Sequence, residues 1–266
     1  MEATDASPPE SNPTAKAFTL TAAAWFAGAT SFGMIAAGYL IAPDFLANIE
    51  YIHFGRMRPM HINAVLFGFV TPGLLAAAFY YIPKLLRTGL FSQRLGVFTA
   101  IFWNITVICG MVGIALGYTQ GREYAELPWS VDIMVVISFV MVVINFLMTI
   151  RKRSEKMLYV SVWYITAAVV LTSCTYILGN VIWKPDTGAL RGIPDAILLW
   201  FYGHNVFGLL LTPMGLGVAY YVLPIVTRSP LYSHTLSLIG FWSLIIVYTH
   251  IGTCLLYTSD AADDLA

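Results

Sequence analysis

The sequence predicts an all-α integral membrane protein with seven transmembrane helices, and two observations carry that prediction. Only 11% of the 266 residues are charged while 58% are hydrophobic, against about 25% charged in a soluble domain. The few charges are also bunched, leaving seven long stretches free of Asp, Glu, Lys and Arg. A hydrocarbon core about 30 Å thick needs roughly 20 apolar helical residues, and each stretch is long enough.

In chain order the stretches are 17–43, 59–83, 95–121, 133–150, 157–183, 196–227 and 229–259. Residues 1–16, with Pro8, Pro9 and Pro13, read as a disordered polar leader on the cytoplasmic side. The first stretch exceeds a signal-peptide core, so it reads as an anchor rather than a cleaved signal. Pro59 opens the second stretch, a favourable place for proline at a helix start. Gly113 and Gly117 form a small-xxx-small pair, and Gly215 and Gly217 thin the sixth stretch; both patterns fit close helix approach. Asn104, Asn145, Thr172, Ser173 and Thr175 are expected to hydrogen-bond between helices. No soluble domain, internal repeat or low-complexity tract is apparent.

Charge also sets partners and orientation. The 14 Lys plus Arg balance 14 Asp plus Glu, so no basic face for nucleic acid is implied, and the apolar composition makes the lipid bilayer the predicted surroundings. With the N-terminus cytoplasmic, the inner segments hold Lys16, Lys84, Arg87, Arg94, Arg151, Lys152, Arg153, Lys156 and Arg228. The outer loops then hold only Arg56, Arg58, Arg122, Lys184 and Arg191, as the positive-inside rule requires. Cys109, Cys174 and Cys254 have no CxxC spacing, which excludes a disulfide scaffold, a cysteine zinc site and covalent c-type haem.

Ionisable groups inside spans are costly and mark function. His53 falls in an outer loop and His234 at the inner interface, where water satisfies them. His61, in FGRMRPMHINAVLFGF (54–69), and His204, in WFYGHNVFGLLLTP (200–213), sit near the outer ends of the second and sixth spans. Each reads either as a satisfied polar residue or as a metal ligand. Their common depth, with arginines beside His61, favours a metal centre. In the last span, YSHTLSLIGFWSLIIVYTHIGT (232–253), Tyr248 reaches the same layer. Ser237 lies eleven residues earlier on the same helical face, about 16 Å away. That stripe suits proton delivery and equally suits packing. His250 points away from it.

The strings FGRMRPMH, WFYGHN and YSHTLSLIGFWSLIIVY together resemble subunit I of the haem-copper oxidases, specifically the cbb3-type cytochrome c oxidases, over 17–253. The resemblance implies a twelve-helix fold of which this chain holds seven. It implies His61 as an axial ligand of low-spin haem b, with Arg58 near the propionates. His204 would be a copper B ligand, and Tyr248 the tyrosine covalently linked to it that supplies an electron and a proton. Glu123 in GREYAELPW would lie near a calcium ion, with Glu126 the nearby alternative. Ser237 and Tyr232 would belong to the K-type proton channel. The ligand of high-spin haem b3 would lie on helices beyond this chain. Implied partners are O2, c-type cytochrome subunits and cytochrome c as donor, because the chain has no CxxCH motif. The implied setting is the bacterial inner membrane, and the implied activity is O2 reduction coupled to a proton gradient.

Local differences separate this pattern from its relatives. In the commoner oxidases the linked tyrosine follows the copper histidine by four residues; that position is Gly208 here. Nitric oxide reductases place glutamates just after the corresponding histidine, whereas Asn205, Val206, Phe207, Gly208 and Leu209 follow here. This favours copper and O2 over non-haem iron and NO. A nitric oxide reductase large subunit and a non-catalytic membrane protein are the alternative readings. The pattern requires adjacent histidines at 254 and 255, where Cys254 and Leu255 stand. Residues 254–266 are therefore expected to be a non-native tail. The chain reads as an N-terminal portion, inactive alone, with an open groove where further helices pack.

Overall fold

The computed structural model describes residues 12–46, 48–181 and 192–250, and every regular element among them is helical. Seven helices follow in order: α1 Pro13–Ile41, α2 Phe54–Leu85, α3 Gln93–Ala115, α4 Trp129–Arg151, α5 Val160–Val181, α6 Ile193–Thr227 and α7 His234–Thr249. The first six are long and apolar enough to cross a membrane; α7 is a shorter apolar helix. The predicted tail and Cys254 lie outside the described residues.

Helix boundaries differ from the charge gaps for identifiable reasons. α1 starts at Pro13, inside the predicted leader. Asn12 caps it by accepting from the Ala15 N–H at 2.9 Å and donating to the Phe79 carbonyl at 2.8 Å. Proline at the first helical position loses nothing, since that N–H has no partner in any helix. α2 starts at Phe54, so Pro59 lies within it rather than at its start. α3 stops at Ala115, where Gly117 adopts a φ of +88° and the Tyr118 N–H returns to the Gly113 carbonyl at 2.8 Å. Gly117 is thus a helix terminator, not half of a packing stripe. α4 begins at Trp129 and carries Asp132 inside it.

Among the described residues three helices contain π-helical segments: Ala64–Val70 in α2, Ile177–Val181 in α5 and Val206–Leu211 in α6. Such wide turns are rare and concentrate at functional sites. In α2 the device is legible. Pro72 has no N–H for the Phe67 carbonyl five residues back, and the Trp103 indole donates to it at 2.7 Å. The polar group freed by proline is satisfied by α3, as hydrocarbon surroundings require.

Packing centres on α2. Phe79 stacks on Phe18 of α1 at 5.3 Å and meets Phe146 of α4 at 4.7 Å, while Trp103 of α3 sits edge-on to Phe139 at 5.0 Å. Such pairs contribute about 0.5–1.5 kcal/mol each beyond area burial, which matters where lipid removes the hydrophobic drive. Trp25 donates to Asn104 at 2.9 Å, joining α1 to α3 as expected. Asn145 bonds Ser92 at the base of α3. Ser173 and Thr175 instead donate within α5, and the Thr172 hydroxyl is buried with no hydrogen-bond partner among the described residues. A hydroxyl reaching back one turn satisfies itself without a neighbouring helix. Gly217 meets Ile165 of α5, a close approach, whereas Gly215 faces open space. α7 rests through Phe241 on Tyr164 at 5.0 Å and Trp163 at 5.8 Å. Along it runs an apolar groove lined by Leu238, Ile239, Trp242 and Ile246.

Candidate metal and redox site

One loop, between α3 and α4, organises the site. Glu123 pairs with Arg58 of α2 at 2.6 Å, and buried Glu126 accepts from Asn63 of α2 at 2.9 Å. Arg122 pairs with Asp195 of α6 at 2.9 Å and donates to the Gly179 carbonyl of α5 at 3.0 Å. The Tyr124 ring lies 5.4 Å from Phe207 of α6, and the Tyr202 hydroxyl donates to its carbonyl at 3.1 Å. Arg58 and Asn63 bracket His61 in sequence; Tyr202 and Phe207 bracket His204. The same loop therefore caps both histidine segments, placing them at one end of the bundle.

His61 points across to α1. Its Nδ1 lies 2.8 Å from the Ala29 carbonyl, which can only accept, so Nδ1 carries the proton and Nε2 is left with the lone pair. The ring occupies the space beside Gly33, where a Cβ would fall 2.7 Å from it. Gly33→Ala is expected to cost about 1–3 kcal/mol by overpacking, read from thermal unfolding in detergent. Gly55→Ala, where nothing lies within 4 Å, is the control that removes a glycine without crowding the imidazole.

His204 and Tyr248 are brought together. Their rings stack with centroids 4.3 Å apart and planes 21° from parallel. The stack depends on Gly208, because a Cβ there would run into the Tyr248 ring. Where the commoner oxidase pattern has its tyrosine, this chain has a glycine, and a phenol from α7 fills the room. His204 Nε2 is buried with no hydrogen-bond partner among the described residues. An unsatisfied buried imidazole nitrogen is costly, and a metal ion is one partner that would satisfy it.

Several residues of this region are not singled out by the sequence. Arg122, Asp195, Gly33 and Ala29 are among them, as is Asp132, fully buried and accepting from Tyr176 at 2.7 Å and Gln120 at 2.9 Å. Burial pushes the Glu126 carboxyl above its usual range, against the opposing hydrogen bond from Asn63. On the other side of the bundle, Tyr232 is 98% exposed ahead of α7, and the Ser237 hydroxyl donates to the Ser233 carbonyl at 2.9 Å. That bond closes within the helix. His53 is exposed and tilts against Tyr39 at 5.7 Å, and His234 opens α7.

Comparison with known proteins gives this geometry its context. Residues 14–265 match the family described as Cytochrome C and Quinol oxidase polypeptide I. The chain belongs to this family. It is 33% identical over 239 residues to the cbb3-type cytochrome c oxidase subunit CcoN1 of Stutzerimonas stutzeri, covering 88% of this chain and 50% of that protein. It is 38% identical over 228 residues to a cytochrome c oxidase subunit 1 homolog of Agrobacterium tumefaciens, covering 83% of this chain and 42% of that one. A cytochrome c oxidase subunit 1 of Rhodobacter capsulatus is 36% identical over 216 residues, covering 77% of this chain and 41% of that one. The chain thus spans half or less of the length of these relatives. This member of the oxidase polypeptide I family is a multi-pass, all-helical membrane protein of the haem-copper oxidase fold.

The family implies haem and copper, and the donor set can be tested against them. Imidazole suits both iron and copper. His61 offers an Nε2 lone pair oriented by the Ala29 carbonyl, and His204 offers an orphaned buried Nε2; both fit. For calcium, Glu123 offers a carboxylate that is paired here with Arg58. Among the described residues no three His, Cys, Asp or Glu side chains converge, so most of the six to eight oxygens calcium takes would have to be backbone carbonyls, water or groups of a bound cofactor.

Proposed function

We propose that this chain forms part of the catalytic subunit of a cbb3-type terminal oxidase, reducing O2 to water with electrons from cytochrome c. The stack of His204 and Tyr248 over Gly208 is the observation that supports it most strongly. Haem b held by His61, and copper B held in part by His204, would supply electron transfer and O2 reduction when bound. The haem b3 ligand would come from helices beyond this chain, and the remaining copper ligands would be the adjacent histidines that the family pattern requires at 254 and 255, where Cys254 and Leu255 stand here.

The residues present have definable parts in that reading. The Ala29 carbonyl fixes which nitrogen His61 presents. Arg58 and Glu123 form an ion pair one turn outward, where anionic propionates would compete for the guanidinium. Tyr248 holds a proton at Oη beside His204, positioned to release it into the site. Protons for the chemistry would rise along α7 from Tyr232 past Ser237, rotated away from the Ser233 carbonyl. Consumption of those protons from the inner side charges the membrane, with the N-terminus cytoplasmic in a bacterial inner membrane. Electrons would enter through c-type cytochrome subunits.

Metal analysis of the full-length oxidase tests this reading. Copper accompanied by two haems is the expected result. Non-haem iron in place of copper would assign the chain to nitric oxide reduction, and a protein without haem absorbance would be a non-catalytic membrane protein.

A further inference from the structure

Tyr124 stands out within the α3–α4 loop by its backbone. Its φ is +61°, in the left-handed region that a bulky aromatic residue rarely adopts. Such strain persists only where surrounding contacts over-determine it, and it collects at functional sites. Here the contacts are explicit. Glu123 is fixed by Arg58 and Glu126 by Asn63, on either side of Tyr124. The Ala125 N–H returns to the Arg122 carbonyl at 3.0 Å, and the Tyr202 hydroxyl donates to the Tyr124 carbonyl at 3.1 Å. The backbone is thus held on both sides, and the ring has one place to go.

That place is the surface of α6 on both sides of His204. The ring lies edge-on to Phe207, centroids 5.4 Å apart at 82°, and a Cβ on Gly203 would meet it at 3.7 Å. Gly203 precedes His204, and Phe207 lies in the π-helical turn that also carries Gly208. His204 lies in the last α-helical turn of α6, two residues before that wide turn begins, so a contact from outside the helix on both sides of it steadies the ligand where the helix changes its winding.

We propose that Tyr124 is a positioning residue for the His204–Tyr248 pair, its strained backbone wedging the ring against Gly203 and Phe207. The inference rests on the copper assignment made above for His204. Its action is through packing alone, so the phenol oxygen of Tyr124 has no part in it.

The test uses the full-length oxidase complex carrying Tyr124→Gly or Tyr124→Phe. Glycine accepts a positive φ without strain, so Tyr124→Gly removes the ring while leaving Glu123 and Glu126 in place. Chelator titration is expected to show copper affinity lowered by about 10–100-fold, the usual effect of losing an outer support of a metal ligand. The low-spin haem spectrum should be unchanged, a result that a general loss of stability would not give. Tyr124→Phe should match the unsubstituted enzyme in both readouts. Copper held equally well by Tyr124→Gly would overturn the inference alone, as would parallel loss of copper and low-spin haem. An unsubstituted oxidase that binds no copper would overturn the copper assignment and this inference with it.

Discussion

Gly208→Val in the full-length oxidase is expected to lower O2 consumption by about 100-fold, the scale of loss when a reacting group is displaced by about 1 Å. The reason is steric and local. A Cβ at 208 would run into the Tyr248 ring, whose stacked partner is His204 at 4.3 Å. The three nearest atoms to such a Cβ all belong to that ring, so the new side chain and the ring cannot both keep their places. Tyr248 must therefore leave the face of His204. Gly215→Ala, one turn past the π segment Val206–Leu211 with nothing within 4 Å, should leave the rate unaltered. An oxygen electrode distinguishes the outcomes, and an unaffected Gly208→Val would show that the stack is not needed for turnover.

Arg122→Met is expected to destabilise the fold by about 3–5 kcal/mol, the cost of stripping one partner from a buried ion pair. The Arg122 and Asp195 side chains are 9% and 22% exposed, so solvent screens them weakly. Arg122 also donates to the Gly179 carbonyl, within the π segment Ile177–Val181 of α5. Its loss leaves a half-buried carboxylate and an orphaned carbonyl together. The double variant Arg122→Met with Asp195→Asn should recover part of the loss, because no uncompensated charge remains. Unfolding in a graded SDS series reports both values. Equal stabilities for the single variant and the unsubstituted protein would show that the pair is solvated.

Charge gaps alone delimit the spans well, since a bilayer excludes ionisable groups from lipid-facing surfaces and the helix is the economical way to satisfy backbone there. The same rule misplaces the start of α4. It treats Asp132 as a break, whereas Tyr176 and Gln120 satisfy that carboxylate inside the helix. A carboxylate so close to GREYAELPW is the signal that was available. His61, His204 and Tyr248 are legible because an imidazole or phenol stands out in an apolar segment. Gly33 is not, because its reason for being glycine is a ring on a different helix. The pairing of Arg122 with Asp195 joins residues 73 apart, with no local pattern to announce it. The π turns leave no periodic mark either, although Pro72 and Pro213 just beyond two of them hint at disturbed helix.

The account depends on one end of the bundle gathering two imidazoles and a phenol. A cryo-electron microscopy map of the full-length oxidase in its membrane complex measures this directly. The predicted result has Tyr248 lying face to face with His204 beside Gly208, and His61 beneath the Arg58–Glu123 pair at the same level. A Tyr248 side chain turned toward lipid, or a His61 at the opposite leaflet, would contradict it.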